Sequence, residues 1–433
     1  TARKSAMAMG FRFDAIQRAL SIRNYRIYTS GNIVAHFGMW AYRIGLLSLT
    51  WELTESAFWL GAMSMADLFP TVVLSPLAGA LTERINRIGM MRFAVIFTGL
   101  QSTVLALMCL NGEASIAIIF PLALLLGVVL AVNHPMRLVI VTNLVGRDEV
   151  PSALAINSLV FNVARVAGPS IAGGIIAAAG NGAALLGTAI VFGFCAVGHA
   201  VFAIALFMVK MNSLAMPHEP KSLRHVPGEI MEGFRYVAGH PGIGPLLIIL
   251  FSVGMTARGY ADLFAGYVDT VFSLGTDAFG LLLSSVGLGA VLGGLWLAQR
   301  GHVQGLTRVF LAHILILAWA LILFTVTNNF YVAVVCVFIA GFSQTVAGTG
   351  EHVLIQAAVD EPMRGRVVSL YGAVSRGTPA LGALILGWAA DQVGLRWPIA
   401  FGAVLCIGVW GWAFSKRHQL AEALETPPIE RGA

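Results

Sequence analysis

Charge is what this chain has least of. Asp, Glu, Lys and Arg make up 11% of its 433 residues, where a soluble domain carries about a quarter. The remainder is 58% hydrophobic, with a mean hydropathy of +0.81, so an ordinary water-soluble domain is excluded and the chain belongs in a bilayer. Cysteine is almost as scarce. Cys109, Cys195, Cys336 and Cys406 all fall in apolar stretches without CxxC or metal-type spacing, which excludes a zinc module or a redox pair and leaves them as small core residues. No Walker-type phosphate loop is present, and no polar stretch is long enough for a nucleotide-binding domain. ATP drive and enzymatic chemistry are therefore not expected, nor is a cofactor, and any driven process would draw on an ion gradient, with H+ the expected ion. The basic pI of about 9.3 does not indicate nucleic acid, because the basic residues are dispersed over loops between apolar runs.

Those runs are long. About 20 apolar residues cross a bilayer, and six such spans lie at 27–50, 57–81, 89–110, 115–143, 152–179 and 184–209. Six more follow at 244–271, 278–298, 306–327, 330–358, 367–390 and 397–415. An all-α membrane protein of twelve helices is expected, with a basic arm at 1–26, one six-helix half at 27–209, a polar linker at 210–243, a second half at 244–415 and a tail at 416–433. The first span is too long for a signal-peptide core and has no cleavage pattern behind it, so it should remain as a helix. Arg3, Lys4, Arg12, Arg18, Arg23 and Arg26 lie in or beside the arm, and Arg84, Arg87, Arg92, Arg147, Arg300, Arg308, Arg364 and Arg366 fall in alternate loops. The other loops hold only Arg396. The positive-inside tendency then puts both termini in the cytoplasm.

The two halves read as copies. Ser158-Leu159-Val160-Phe161-Asn162-Val163-Ala164-Arg165 is echoed by Ser369-Leu370-Tyr371-Gly372-Ala373-Val374-Ser375-Arg376, with Pro169 and Pro379 following. Arg84 and Arg92 recur as Arg300 and Arg308, and Arg43 has a counterpart in Arg258. Parallel repeats are associated with membrane carriers whose binding site lies where the halves meet.

An intramembrane charge costs about 2.5 to 3.5 kcal/mol on insertion scales, so each needs a partner, a cavity or a function. Arg43, Arg137, Arg258, Asp262 and Glu351 fall on spans 1, 4, 7 and 10, the first of each triplet, while spans 3, 6, 9 and 12 have no charge in their cores. This pattern predicts a central cavity lined chiefly by spans 1, 4, 7 and 10, with the third helix of each triplet facing lipid. Arg258 and Asp262, four residues apart, are placed to neutralise one another on one helical face. Arg137 and Glu351 hold corresponding places with opposite charge, and three readings stand for them: a gate, a proton site at Glu351, or an inert pair. Asp67 is the other proton-coupling candidate, since an unpaired acid in an apolar setting favours its neutral form; a hydrogen-bonded packing role is its alternative. Arg165 and Arg376 precede Gly168-Pro169 and Thr378-Pro379, where proline frees a carbonyl one turn back. Each guanidinium is expected to satisfy that kink. His134 is a candidate for the cavity wall, and Trp40, Tyr260, Phe264 and Tyr267 are candidates for apolar substrate contact, against the alternative of helix packing. The excess of intramembrane arginine favours an anionic or amphipathic small molecule.

The segment Gly79-Ala80-Leu81-Thr82-Glu83-Arg84-Ile85-Asn86-Arg87 resembles the cytoplasmic loop signature of the major facilitator superfamily, with Glu in place of the usual Asp and Asn86 in place of a glycine. Asn is the best substitute where left-handed backbone is required. The run from Asn157 through Arg165, Gly168-Pro169 and Gly173-Gly174, with the Arg364-Gly365-Arg366 loop, is similar to the enterobactin-exporter-like branch of drug and siderophore proton antiporters. The resemblance implies a fold of two pseudo-symmetric six-helix halves, alternating access, and a latch formed by Glu83, Arg84 and Arg87; Gly79, Arg165, Gly168, Pro169 and Arg376 are further gating candidates, with helix packing as their alternative. It also implies an exporter of a small molecule; a monomer in a bacterial inner membrane is expected, with Asp67 and Glu351, singled out above by their intramembrane position, as the candidate proton carriers. A lipid or lysophospholipid flippase and a non-transporting membrane sensor are the alternatives.

Overall fold

The computed structural model describes residues 13–82, 86–180, 184–210 and 226–425. Among these, a short helix α1 (Phe13–Ser21) leads into the first half: α2 (Arg23–Thr54), α3 (Ala57–Thr82), α4 (Arg87–Asn111), α5 (Ile116–Asn143), α6 (Val150–Ala178) and α7 (Ala184–Met208). An amphipathic helix α8 (Val226–Gly239) then precedes the second half: α9 (Ile243–Ala257), α10 (Phe264–Phe272), α11 (Thr276–Arg300), α12 (Leu306–Val326), α13 (Phe330–Ala358), α14 (Arg364–Val393) and α15 (Arg396–Ser415). Helix α16 (Arg417–Glu425) closes the described chain.

Twelve crossings follow if α9 and α10 count as one. Ten of them are long and apolar enough to span a membrane. The other two, α2 and α14, are 32 and 30 residues long but too polar to meet the same standard. The expected continuous seventh span is broken instead. Residues Gly259–Leu263 form a 3-10 segment between α9 and α10, where a Cβ on Gly259 would collide with the backbone of Ala383 in α14. Asn86 also departs from expectation. Its backbone is extended, at φ −61°, and its side chain caps α4 by accepting a hydrogen bond from Gly89 N at 3.2 Å. An Asn is favoured there because it satisfies an orphan helix N–H, with no left-handed backbone involved.

The duplication is visible in the packing. In the first half α2 contacts α6 and α7, α3 contacts α5, and α4 contacts α7; the second half repeats the scheme with α9 on α14 and α15, α11 on α13, and α12 on α15. The halves then meet by exchange, α3 against α14 and α6 against α11, as a two-fold relation between copies requires.

Small residues allow that exchange to be close. A Cβ on Gly61 would strike the backbone of Ala383, and one on Gly387 the backbone of Ala57. Without a hydrophobic drive between helices in lipid, such close backbone approach supplies the dispersion contact that holds them together. Several polar contacts between halves lie toward the end of the bundle opposite the termini, called the distal end below. There Asp391, near the end of α14, caps α3 from the other half. Its Oδ1 accepts from Ala57 N at 2.6 Å, and its Oδ2 from Ser56 Oγ at 2.6 Å and Phe58 N at 3.3 Å. Nearby, Trp51 Nε1 donates to Asp269 Oδ2 at 2.9 Å, and Ser170 Oγ lies 2.7 Å from Ser284 Oγ.

Asp391→Ala removes a carboxylate cap and should cost about 1 kcal/mol, read as a lower thermal midpoint in detergent. Because the cap comes from the other half, the same change should raise the labelling rate of a cysteine placed at Ala57 by a membrane-impermeant maleimide. An unchanged rate would show that the cap does not hold the seam.

Candidate functional site

Residues His36, Trp40, Arg43 and Leu47 recur at helical spacing along one face of α2, and that face borders a cavity of about 330 Å³. Met63, Ser64 and Asp67 of α3, Asn133 and Arg137 of α5 and Phe161 of α6 close much of the rest. The fourfold lining by spans 1, 4, 7 and 10 is therefore corrected. The cavity belongs mainly to the first half, and the second half contributes Arg376 of α14. Nor are the third helices purely lipid-facing. Helix α4 turns Ala94, Val95 and Thr98 to the cavity while Phe93, Ile96 and Leu100 face outward, and α7 places His199 on the wall.

The charges pair differently from their sequence spacing. Arg43 lies between two carboxylates, with Nη1 3.2 Å from Asp67 Oδ2 and Nη2 2.6 Å from Asp262 Oδ1. One guanidinium thus ties α2 to α3 within its own half and to the 3-10 segment of the other. Arg258 does not neutralise Asp262. Its Nη2 lies 3.8 Å from Glu351 Oε2, because the helix break between Arg258 and Asp262 turns the two side chains in different directions. The bridge between Arg137 and Glu351 is likewise not formed. Glu351 is 1% exposed and stays within the second half, with Oε1 unbonded.

Arg137 Nη1 instead meets His36 Nε2 at 3.3 Å, and its guanidinium carbon sits 5.7 Å from the centre of the Phe202 ring. His36 Nδ1 lies 3.1 Å from Asn32 O. A proton on Nδ1 satisfies that carbonyl and leaves Nε2 to accept from the arginine. No carboxylate pairs with Arg137 or with Arg376 among the described residues. Two cations thus border the cavity, one from each half, while Arg43 is already matched.

Several sequence candidates lie elsewhere. Tyr260, Phe264 and Tyr267 are 1%, 0% and 0% exposed and belong to the core; the Tyr267 ring stacks on Phe324 at 4.5 Å and its hydroxyl donates to Phe324 O at 3.2 Å. They are packing residues here, and Trp40 is the one of the four aromatics on the cavity wall. Arg165 and Arg376 make no hydrogen bond to the proline-freed carbonyls among the described contacts: Arg165 Nε is buried without a partner, and Arg376 is exposed to the cavity. Gly168 and Pro169 are buried in α6, where a Cβ on Gly168 would collide with Trp40. Arg87 opens α4. Glu83 and Arg84 lie outside the described residues, as do the surroundings of Gly79 and His134. His36, Asn133 and Phe161 were missed from sequence, although the stripe at 36, 40, 43 and 47 on α2 carried a signal for the first.

Residues 18–426 match the family model of transmembrane secretion effectors. The chain belongs to that family. It is an integral membrane protein of the major facilitator superfamily, related to siderophore transporters. It is 24% identical over 371 residues to the staphyloferrin A transporter of Staphylococcus aureus, covering 86% of this chain and 90% of that protein. It is 26% identical over 338 residues to the enterobactin exporter EntS of Shigella flexneri, covering 78% and 76%. In fold it resembles a variant of the nucleoside transporter NupG, with a TM-score of 0.74 at 11% identity over 91% of this chain and 99% of that one. A bacterial homologue of the lysosomal transporter Spinster, inward-facing and occupied, gives 0.70 at 14% identity over 94% and 99%.

The two arms of the Arg43 cluster should differ in energy. The Asp67 side chain is 38% exposed and the Asp262 side chain 11%, so screening weakens the first arm more. Asp67→Asn should cost about 1 kcal/mol or less and Asp262→Asn about 3 kcal/mol, measured by denaturation of the purified protein in one detergent. Equal losses would contradict the asymmetry.

Proposed function

We propose that this transporter is a proton-coupled exporter of a small anionic, amphipathic molecule, acting as a monomer by rocking its two halves about the cavity. The observation that carries the reading is the pair Arg137 and Arg376. A cation bordering a membrane cavity without a carboxylate is costly unless an anion arrives to match it, and these two approach from opposite halves, so one ligand can engage both. Trp40 and Phe161, with ring centres 5.7 Å apart, supply an apolar surface for the rest of the molecule. The siderophore-named relatives support a soluble metabolite over a lipid, and the EntS relative supports export.

Asp67 is the favoured coupling group. It is the cavity acid that shares Arg43 with Asp262, so neutralising it frees one arm of a guanidinium that links the halves. Protonation there would then bias the equilibrium between states, which is what coupling requires. Glu351, sealed beside Arg258 in the second half, is the second candidate. The positive-inside tendency assigns both termini to the cytoplasm, so the distal end, where Asp391 caps α3, is the end that faces outward.

The test compares wild type, Arg137→Ala, Arg376→Ala and Asp67→Asn at matched abundance in the native host, by untargeted mass spectrometry of medium and cells. A soluble anionic metabolite should fall in the medium and rise in cells for both arginine variants, by about tenfold or more if each removes a charge-assisted contact. In proteoliposomes loaded with that metabolite, Asp67→Asn should retain binding and lose acceleration by a pH gradient. A change confined to membrane lipid would instead support the flippase.

A further inference from the structure

The cavity beside Arg137 changes character along its length. Helix α5 runs from the distal end toward the termini, and its cavity face passes from Ala123 and Leu126 through Asn133 to Arg137. Helix α2 runs the opposite way and carries the same order, with Leu47 nearest the distal end, then Arg43, then His36. Helix α3 agrees, since Met63 lies nearer the distal end than Asp67. At 1.5 Å of rise per residue, the stretches 126–137 and 36–47 each cover about 16 Å. Three helices therefore put cationic and hydrogen-bonding groups at one end of the cavity and aliphatic side chains at the other. Between the ends Arg43 is already matched by Asp67, so the middle calls for no ligand charge.

The aliphatic end is narrow. Leu47, Met63, Ala123 and Leu126 border the cavity, yet they are only 3%, 1%, 4% and 3% exposed. Its walls also have little room to part. A Cβ on Gly127, the residue after Leu126, would strike Ala66 O, so the backbones of α3 and α5 are in contact beside the slot. A straight alkyl chain displaces little on entering such a space, whereas a ring or a branched group would push several side chains apart and meet overpacking strain.

We propose that the transported anion binds in one direction, with its charged head between Arg137 and Arg376 and an unbranched aliphatic tail pointing to the distal end, and that Leu47, Met63, Ala123 and Leu126 limit the length of that tail. This rests on the anion reading above and adds to it an orientation, a tail type and a length limit. The cations fix the head, so the tail reaches a set depth. Each methylene that leaves water for the slot strengthens binding, until the chain meets its closed end.

Straight-chain alkanesulfonates from butanesulfonate to octanesulfonate are the probes, because a sulfonate stays ionised across the working pH and keeps proton binding out of the comparison. Each is titrated calorimetrically into the full chain in nanodiscs, with empty nanodiscs subtracted. Affinity should rise by up to about fourfold per methylene and level off once the slot is full, and cyclohexanesulfonate should bind more weakly than hexanesulfonate. Ala123→Leu should leave butanesulfonate unchanged and weaken octanesulfonate about tenfold, while Arg137→Ala weakens every member by one factor. Leu126→Ala, the opposite change, should extend the rise to longer chains, and it decides the matter if Ala123→Leu does not elute as a folded species. Affinity independent of chain length, or a length profile that neither slot variant alters, would overturn the orientation while the anion reading stands. Failure of every member to saturate wild type would overturn both.

Discussion

A charge inside a bilayer has to be matched, and in this protein the Arg43 guanidinium sets the pattern for the others. It satisfies Asp67 within its own half and Asp262 across the interface, so the electrostatic balance of the first half depends on where the second half stands. Once Arg43 has taken Asp262, Arg258 is left to Glu351, and Arg137 is left with a histidine and an aromatic ring. The uncompensated positive potential at the cavity wall follows from that allocation. It does not require any residue that is unusual in itself.

The two halves share an ancestry of pattern and differ in use. Arg43 and Arg258 occupy corresponding positions, yet the first borders a cavity and reaches across the seam, while the second is matched inside its own bundle by an acid that is almost fully enclosed. The helix break at Gly259–Leu263 produces the difference. It presents Asp262 to the opposite half and leaves Arg258 facing its own. One copy is organised around a cavity, the other around a buried ion pair.

Twelve crossings, two copies and the location of intramembrane charge were legible in the chain because hydropathy runs and repeats are local in sequence. Arg43, Arg137 and Trp40 could be assigned to a cavity on the same basis, since a charge in an apolar run has few places to go. The partners were not legible. Four-residue spacing pairs Arg258 with Asp262 only if the helix continues; it gives way to a 3-10 segment at Gly259, a residue whose missing side chain lets the backbone lie against Ala383 of a distant helix, and that neighbour is not visible in the sequence. Tyr260, Phe264 and Tyr267 likewise resemble ligand contacts until the position of Phe324 shows that they face the core. The one-sided cavity was also hidden, because a repeat suggests symmetric lining and nothing in the sequence weighs one half against the other.

The contact between α3 and α14 has a kinetic meaning beyond holding the halves together. Where Gly61 faces Ala383 and Gly387 faces Ala57, backbone lies against backbone with almost no side chain between. Interlocked side chains must change rotamer before two helices can slide or part, and each such change adds to the barrier. A bare seam has little to unlock. Its helices could separate and re-form the same contact as rigid surfaces, so that what must break for the halves to part is chiefly the polar ties between them, the Asp391 cap on α3 and the Arg43–Asp262 pair.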